Sequence, residues 1–278
     1  MDGRADRAAS LANLSAYDAE ATRRFVEGAP HLKHAALRRL YAGLLSEVYE
    51  RAVRHRASLR VLDLGAGEGS TTLRCLELGA TVTAVDASES QLAALRARCV
   101  GHAERLHVRC EEVGRALAAI DDEYDIVIAS AFLHHVPDYL GVIRRATELL
   151  ARHGQILSFE DPLRYDTVGG PTRAFCALGY YVWRLSRGDL RAGLGRWLRR
   201  RRGVYLDASV HDNADYHSLR AGLDQEAIRS LLEGLGYVCR VEPYLSVQSR
   251  WFQSIGDVLG LHNAFAVVAK ARTPASGD

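Results

Sequence analysis

Three groups of residues in this sequence have the types and spacing to do chemistry. The first is Val61-Leu62-Asp63-Leu64-Gly65-Ala66-Gly67-Glu68-Gly69-Ser70, an apolar run ending in glycines at alternate positions. Glycines there permit positive φ and let a ligand approach the backbone closely. A dinucleotide loop wants GxGxxG/A, with pyrophosphate on the following helix. Counted from Gly65, the sixth position is Ser70, so that pattern is missed. Asp63 would repel a pyrophosphate, whereas it attracts the ammonium group of an amino acid. The second is Asp86, closing Thr83-Ala84-Val85-Asp86-Ala87-Ser88. A carboxylate at a strand tip can accept hydrogen bonds from two ribose hydroxyls. The competing role, a helix N-cap, suits Ser88 better, with Gln91 at the capping-box position. The third is His134-His135, leaving the apolar run Tyr124–Ala129 and followed by Val136-Pro137-Asp138. An imidazole titrates near neutral pH and can take a proton from a hydroxyl or phenol.

The elements that must position these residues follow from hydrophobic periodicity. Strands are expected at Leu59–Leu64, Thr81–Val85, Arg105–Arg109, Tyr124–Ala129 and Gln155–Phe159, then at Tyr237–Val241 and Ala264–Ala269. Helices are expected at Ser70–Leu78, Glu89–Val100, Glu112–Ile120, Tyr139–Ala151 and Asp224–Leu235. Leu37, Leu40, Tyr41, Leu44, Leu45, Val48, Tyr49 and Ala52 mark a helix before the first strand, and Pro30 separates it from an earlier one around Ala16–Glu27. Buried strands alternating with helices imply a parallel sheet covered on both faces. Such sheets bind ligands outside the carboxyl ends of their strands.

The glycine stretch resembles motif I of the class I S-adenosylmethionine (SAM)-dependent methyltransferases: a hydrophobic strand, an acidic residue, then GxGxG. Ala129-Ser130-Ala131-Phe132-Leu133-His134-His135-Val136-Pro137-Asp138 resembles the fourth motif of the menaquinone-type and natural-product branch of that family. The resemblance covers 61–138 as motifs and about 60–270 as fold. It implies an α/β fold with a Rossmann-like, doubly wound, seven-stranded sheet, and SAM as cofactor with S-adenosylhomocysteine as product. By the resemblance Asp63 lies near the methionine end of SAM, and Gly65, Ala66 and Gly67 lie against its amino acid and ribose. Asp86 holds the ribose, with Ala87 beside it. Glu111, or else Glu112, accepts from the adenine amino group, although a first-turn acid favoured by the helix dipole is the competing role. Ser130 belongs to the same cofactor set, and Tyr17, on the N-terminal helices, covers the nucleoside.

The loop after strand four then faces the transferred methyl group. His135 is slightly favoured over His134 as a general base. Asp161, at the end of strand five, either orients an imidazole, binds the acceptor, or is a turn carboxylate before Pro162. His217, with Asp212 and Asp215 near it, is the alternative base. Trp251, Phe252 and Gln253 either line the acceptor pocket or pack in the core.

The expected organisation is an N-terminal helical segment (1–57), a SAM-binding core (58–161), an inserted lid (162–222) and the C-terminal part of the core (223–278). The lid selects the substrate, a small-molecule or lipid-like acceptor. Leu190, Leu194, Trp197 and Leu198 share a helical face among arginines, so three readings stay open for 184–202. It touches a membrane surface, grips an anionic acceptor, or presents a solvated face.

Composition bounds the rest. Of 278 residues, 48% are apolar, enough for one large core. A net charge of +2 gives no field for nucleic acid, so none is expected as partner. Cys75, Cys99, Cys110, Cys176 and Cys239 form no CxxC pair, and no metal site is expected. The N-terminus has no apolar signal region and no run spans a bilayer, so a cytoplasmic chain is expected. The methylated atom is open: O-methylation in secondary metabolism leads, ahead of N- or C-methylation and of a SAM-fold cyclase or nonenzymatic SAM binder. Oligomeric state is not legible.

Overall fold

Apolar runs become central strands where helices cover both of their faces. In the computed structural model, which describes residues 29–186 and 222–272, seven strands form one sheet in the order β3-β2-β1-β4-β5-β7-β6. They are β1 (Arg60–Leu64), β2 (Thr81–Asp86), β3 (Leu106–Cys110), β4 (Tyr124–Ser130), β5 (Leu150–Pro162), β6 (Tyr237–Tyr244) and β7 (Ala264–Ala271). Neighbours β3 to β5 pair in parallel, and β7 runs antiparallel between β5 and β6. The switch point falls between β1 and β2 on one side and β4 on the other, which sets the ligand crevice at the tip of β1. The architecture is the expected Rossmann-like one.

One core lies beneath α1 (Ala35–Ala52), α2 (Ser70–Glu77) and α3 (Glu89–Arg98), built on Leu45, Val48, Val61, Leu76, Leu92 and Leu95. The opposite core, beneath α4 (Val113–Ala119), α5 (Tyr139–Glu148) and α7 (Gln225–Gly234), gathers Leu62, Leu64, Leu117, Tyr124, Ile143 and Leu232. Each such side chain contributes about 1.5–3 kcal/mol when fully buried. Helix starts follow capping chemistry. Ser88 accepts from Gln91 N–H, Asp138 from Gly141 N–H, and Asp224 from Glu226 and Ala227 N–H.

Three elements depart from expectation. Helix α5 ends at Glu148, and β5 already begins at Leu150, because Tyr124 N–H donates to Leu149 O and Tyr124 pairs with Leu150. Helix α6 (Gly170–Ser186) follows β5 where no regular element was expected. Helix α8 (Arg250–Val258) takes up Trp251, Phe252 and Gln253. Of the two places open to them, acceptor pocket or core, Phe252 and Gln253 take the packed one. Trp251 is 81% exposed, Phe252 packs on Phe175 of α6, and Gln253 is buried, donating to Leu245 O and accepting from Val247 N–H.

The segment expected to be inserted leaves and re-enters the core at one neck. Leu163 bridges Leu223, Leu223 N–H donates to Pro162 O at 2.9 Å, and Arg164 pairs with Asp224. The arginine-rich residues 187–202, His217 and Tyr17 lie outside the described residues.

At the opposite end of β1, Asp125 is buried and accepts from Arg60 N–H at 2.8 Å and Arg56 Nη1 at 3.4 Å. Removing that acceptor strands a backbone donor. Asp125→Ala is expected to cost about 1–3 kcal/mol of stability, read as a lowered urea midpoint with an unchanged slope.

Candidate functional site

The glycine loop leaves β1 and turns into α2. Gly65 N–H and Ala66 N–H both donate to Val85 O, at 2.9 and 3.1 Å, which ties the loop to the tip of β2. Gly65 has φ +68°, and a Cβ there would fall inside the Phe132 ring. Gly67, at φ +53°, has nothing within 4 Å of where its Cβ would lie. The loop is therefore closed on the Phe132 side and open above Gly67, where a ligand can lie on the backbone.

Asp86 half-emerges at the tip of β2. Its two oxygens accept from Gly67 N–H at 2.9 Å and Ser88 N–H at 2.8 Å. Burial raises its pKa, and those backbone donors partly offset the effect. Each oxygen keeps a further lone pair, so the carboxylate can also take two ribose hydroxyls. Ala87 follows, half-buried, at the crevice edge. Glu111 N–H donates to Asp86 O at 3.1 Å, and its carboxylate stands 3.7 Å from Arg109 Nε. Glu112 is spent otherwise: its carboxylate caps α4 by accepting from Gly114 and Arg115 N–H. Of the two adenine candidates, this leaves Glu111 the uncommitted one.

Asp63 is 1% exposed, beneath the loop, and accepts from Thr72 Oγ1 at 2.6 Å. It therefore supports the loop from behind and does not line its surface. Burial pushes its pKa up to about 7, against the pull of the Thr72 bond.

The second half of the site comes from the tips of β4 and β5. Ser130 ends β4, and Ala131 beyond it holds φ +51° while donating N–H to Phe159 O at 2.7 Å. Leu133–His135 then form a single 3₁₀ turn. Asp161, 0% exposed, accepts from His134 N–H at 3.1 Å and His134 Nδ1 at 2.9 Å, and Ser158 Oγ donates to its other oxygen at 2.5 Å. A carboxylate accepts only, so in the neutral ring Nδ1 carries the proton and Nε2 keeps its lone pair. The His135 ring lies 4.1 Å from that of His134, tilted 45°. The buried carboxylate thus holds His134 through both its ring and its backbone.

A bulge in β5, where its register with β7 shifts between Ser158 and Asp161, gives Asp161 and Glu160 separate sets of partners. Glu160, passed over in the sequence, sits at φ +64°. Tyr244 donates to its carboxylate at 3.1 Å, Ser246 donates to it as well, and His31 Nδ1 stands 3.6 Å away. Burial works to raise its pKa, but these partners outweigh burial and hold it below the usual range. Positive φ at a residue with a side chain costs of order 1–3 kcal/mol and collects at functional sites. Two consecutive acids at a strand end were the available signal.

The geometry is that of a nucleoside-binding α/β domain of the class I methyltransferase type. Residues 62–156 match the family model of a methyltransferase domain. A malonyl-[acyl-carrier protein] O-methyltransferase of Bacillus cytotoxicus is 31% identical over 116 residues, 41% of this chain and 39% of the relative. A ubiquinone biosynthesis O-methyltransferase of Xanthomonas campestris is 32% identical over 97 residues, 35% of this chain and 41% of the relative. The chain spans about two fifths of the length of these curated relatives. Among solved structures, the plantazolicin methyltransferase BamL, in complex with a desmethyl substrate analogue and S-adenosylhomocysteine, superposes with a TM-score of 0.57 at 14% identity over 97% of both chains. Magnesium protoporphyrin IX methyltransferase from Synechocystis, with bound S-adenosylhomocysteine, gives 0.53 at 15% identity, covering 95% of this chain and 100% of that one. These likenesses carry the fold.

Asp63 makes a pH prediction. Unfolded, its carboxyl has the ordinary value of 3.8; in the folded protein burial pushes it up to about 7. The folded state binds the extra proton between these values, so this group's stabilisation is full below about pH 4 and lost as pH rises through 7. Asp63→Asn is expected to flatten the fall in stability between pH 4 and 7 in urea titrations. An unchanged slope would show that Asp63 does not titrate there.

Proposed function

We propose that the protein is a SAM-dependent methyltransferase that methylates an oxygen of a small-molecule or lipid-like acceptor in secondary metabolism, with His134 as general base. The observation that carries this reading is the contact of Phe132 with Gly65. It joins the open glycine loop to the turn bearing His134, so a nucleoside on one and an acceptor at the other are neighbours. The two curated relatives named above are O-methyltransferases by name, which supports oxygen as the methylated atom.

When bound, SAM supplies a methyl group already activated on a sulfonium. The residues present fit it: Asp86 for the ribose, Glu111 for the adenine amino group, the Gly65–Gly67 backbone for the amino-acid end with Asp63 behind it. A carboxyl held near neutrality is drawn to its anionic form by an ammonium above it, which favours a cationic ligand there. His134 Nε2 accepts the proton of an acceptor hydroxyl as its oxygen bonds to the methyl carbon and the carbon–sulfur bond breaks. Asp161 keeps the Nδ1 proton in place and stabilises the imidazolium formed, leaving methylated acceptor and S-adenosylhomocysteine. Alignment and exclusion of water supply the remaining rate. The free thiols of Cys75, Cys99 and Cys110 accord with a reducing compartment, and we assign the enzyme to the cytoplasm.

Incubation with SAM and a panel of hydroxylated acceptors is expected to yield a product heavier by one methyl group. SAM bound without any such product would favour a non-methylating SAM enzyme. Asp86→Ala is expected to weaken SAM binding by ~1–3 kcal/mol, roughly 5- to 150-fold, by calorimetry. His134→Ala is expected to lower kcat on an O-acceptor by about 10²–10⁴-fold with SAM affinity kept. Asp161→Asn lowers kcat in the same direction. Full turnover in His134→Ala moves the base to His135 or His217.

A further inference from the structure

Helices α6 and α8 pack through a seam that needs two glycines. A Cβ at Gly179 would meet Phe252 at 2.9 Å, and one at Gly256 would meet Phe175 at 3.1 Å, while the two phenyl rings lie 5.0 Å apart. The later seam residue of α6 thus meets the earlier one of α8, so the helices run antiparallel along it. In antiparallel helices, residues one position before the seam on each emerge on the same side, because one residue turns 100° about oppositely directed axes.

That side is apolar on both helices. Helix α6 presents Ala174, Leu178, Val182 and Leu185, all exposed, with Leu178 at 57%. Helix α8 and its end present Trp251, Ile255, Val258 and Leu259, all exposed, with Val258 at 88%. Spacings of 3 and 4 keep each set on one stripe. The carboxylate on α8, Asp257, accepts from Gln253 Nε2 at 2.8 Å. A contiguous apolar face of this kind marks an interaction site, not ordinary surface.

We infer that this two-helix face docks on an anionic lipid surface. Charge decides the occupant: the chain continuing from Ser186 carries seven arginines and one aspartate between Arg187 and Arg202. Apolar stripes with tryptophan, continued in the sequence by a basic run, combine the two features that acyl chains and lipid phosphates take. Among the described residues no helix is long and apolar enough to cross a membrane, so the docking is peripheral. The inference is independent of the acceptor and of the methyl transfer.

The full chain is expected to sediment with phosphatidylglycerol–phosphatidylcholine vesicles and to be released by raised salt, with little binding to phosphatidylcholine alone. The double variants Leu178→Glu/Val182→Glu and Trp251→Glu/Val258→Glu should each lose at least tenfold in vesicle affinity, with melting temperature and SAM affinity kept. Trp251→Phe should keep sedimentation but lose part of the emission blue shift on binding. Equal sedimentation of both double variants with wild type overturns the inference. So does a wild type that ignores anionic vesicles, including one that light scattering finds dimeric and these variants make monomeric, since a second copy then covers the face. A double variant that melts early is replaced by the single variant Val258→Glu, judged on the same sedimentation.

Discussion

Gly65 has no side chain because the Phe132 ring occupies the space a methyl group would need. This single steric constraint brings the loop after β1 against the loop after β4, and the rest of the site inherits its spacing from it. Val85 O holds the glycine loop from the β2 side, and Phe159 O holds Ala131 from the β5 side. Four strand tips are thereby fixed relative to one another by backbone bonds and one ring. Interiors packed to crystal density transmit such placements rigidly. Transfer of a group between two bound molecules tolerates little misalignment, and a site fixed by main chain suits that demand better than one held by long side chains.

Two carboxylates at adjacent positions of β5, set apart by a bulge, have separate partners and do different work. Asp161 receives three donors and sets the tautomer of His134. Glu160 gathers His31 from one part of the chain and Tyr244 and Ser246 from another. Its backbone strain is offset by those bonds, since Tyr244 Oη also accepts from Glu160 N–H at 2.7 Å. The β5 tip thus holds His134 through Asp161 and His31 through Glu160.

What could be read directly from the sequence was what local chemistry dictates. Alternating glycines after a buried strand, Asp86 at the next strand tip and Ser88 with Gln91 need no tertiary knowledge. Glu112 was ambiguous because an acid before a helix suits both a cap and an adenine ligand, and only its bonds to Gly114 and Arg115 decide. Helices α6 and α8 were missed because Gly179 and Gly256 lower helix propensity, while their use in letting two helices approach exists only after both have formed. The start of β5 was hidden because Leu149 and Leu150 continue the apolar stripe of α5. Asp161 was legible as a candidate, but its choice of His134 over His135 depends on the 3₁₀ turn at Leu133–His135.

The neck at Leu163 and Leu223 has a further consequence. Chain departing from the sheet at Pro162 returns beside it through one bridge and one backbone bond. The entropy of closing a loop grows only slowly with its length, so the sheet is nearly indifferent to what is strung between these two points. Evolution can therefore lengthen, shorten or exchange that stretch without renegotiating the nucleoside crevice. A grafted segment from another member, joined at the same pair of leucines, would still have to reproduce the α6 seam that seats Phe175 against Phe252.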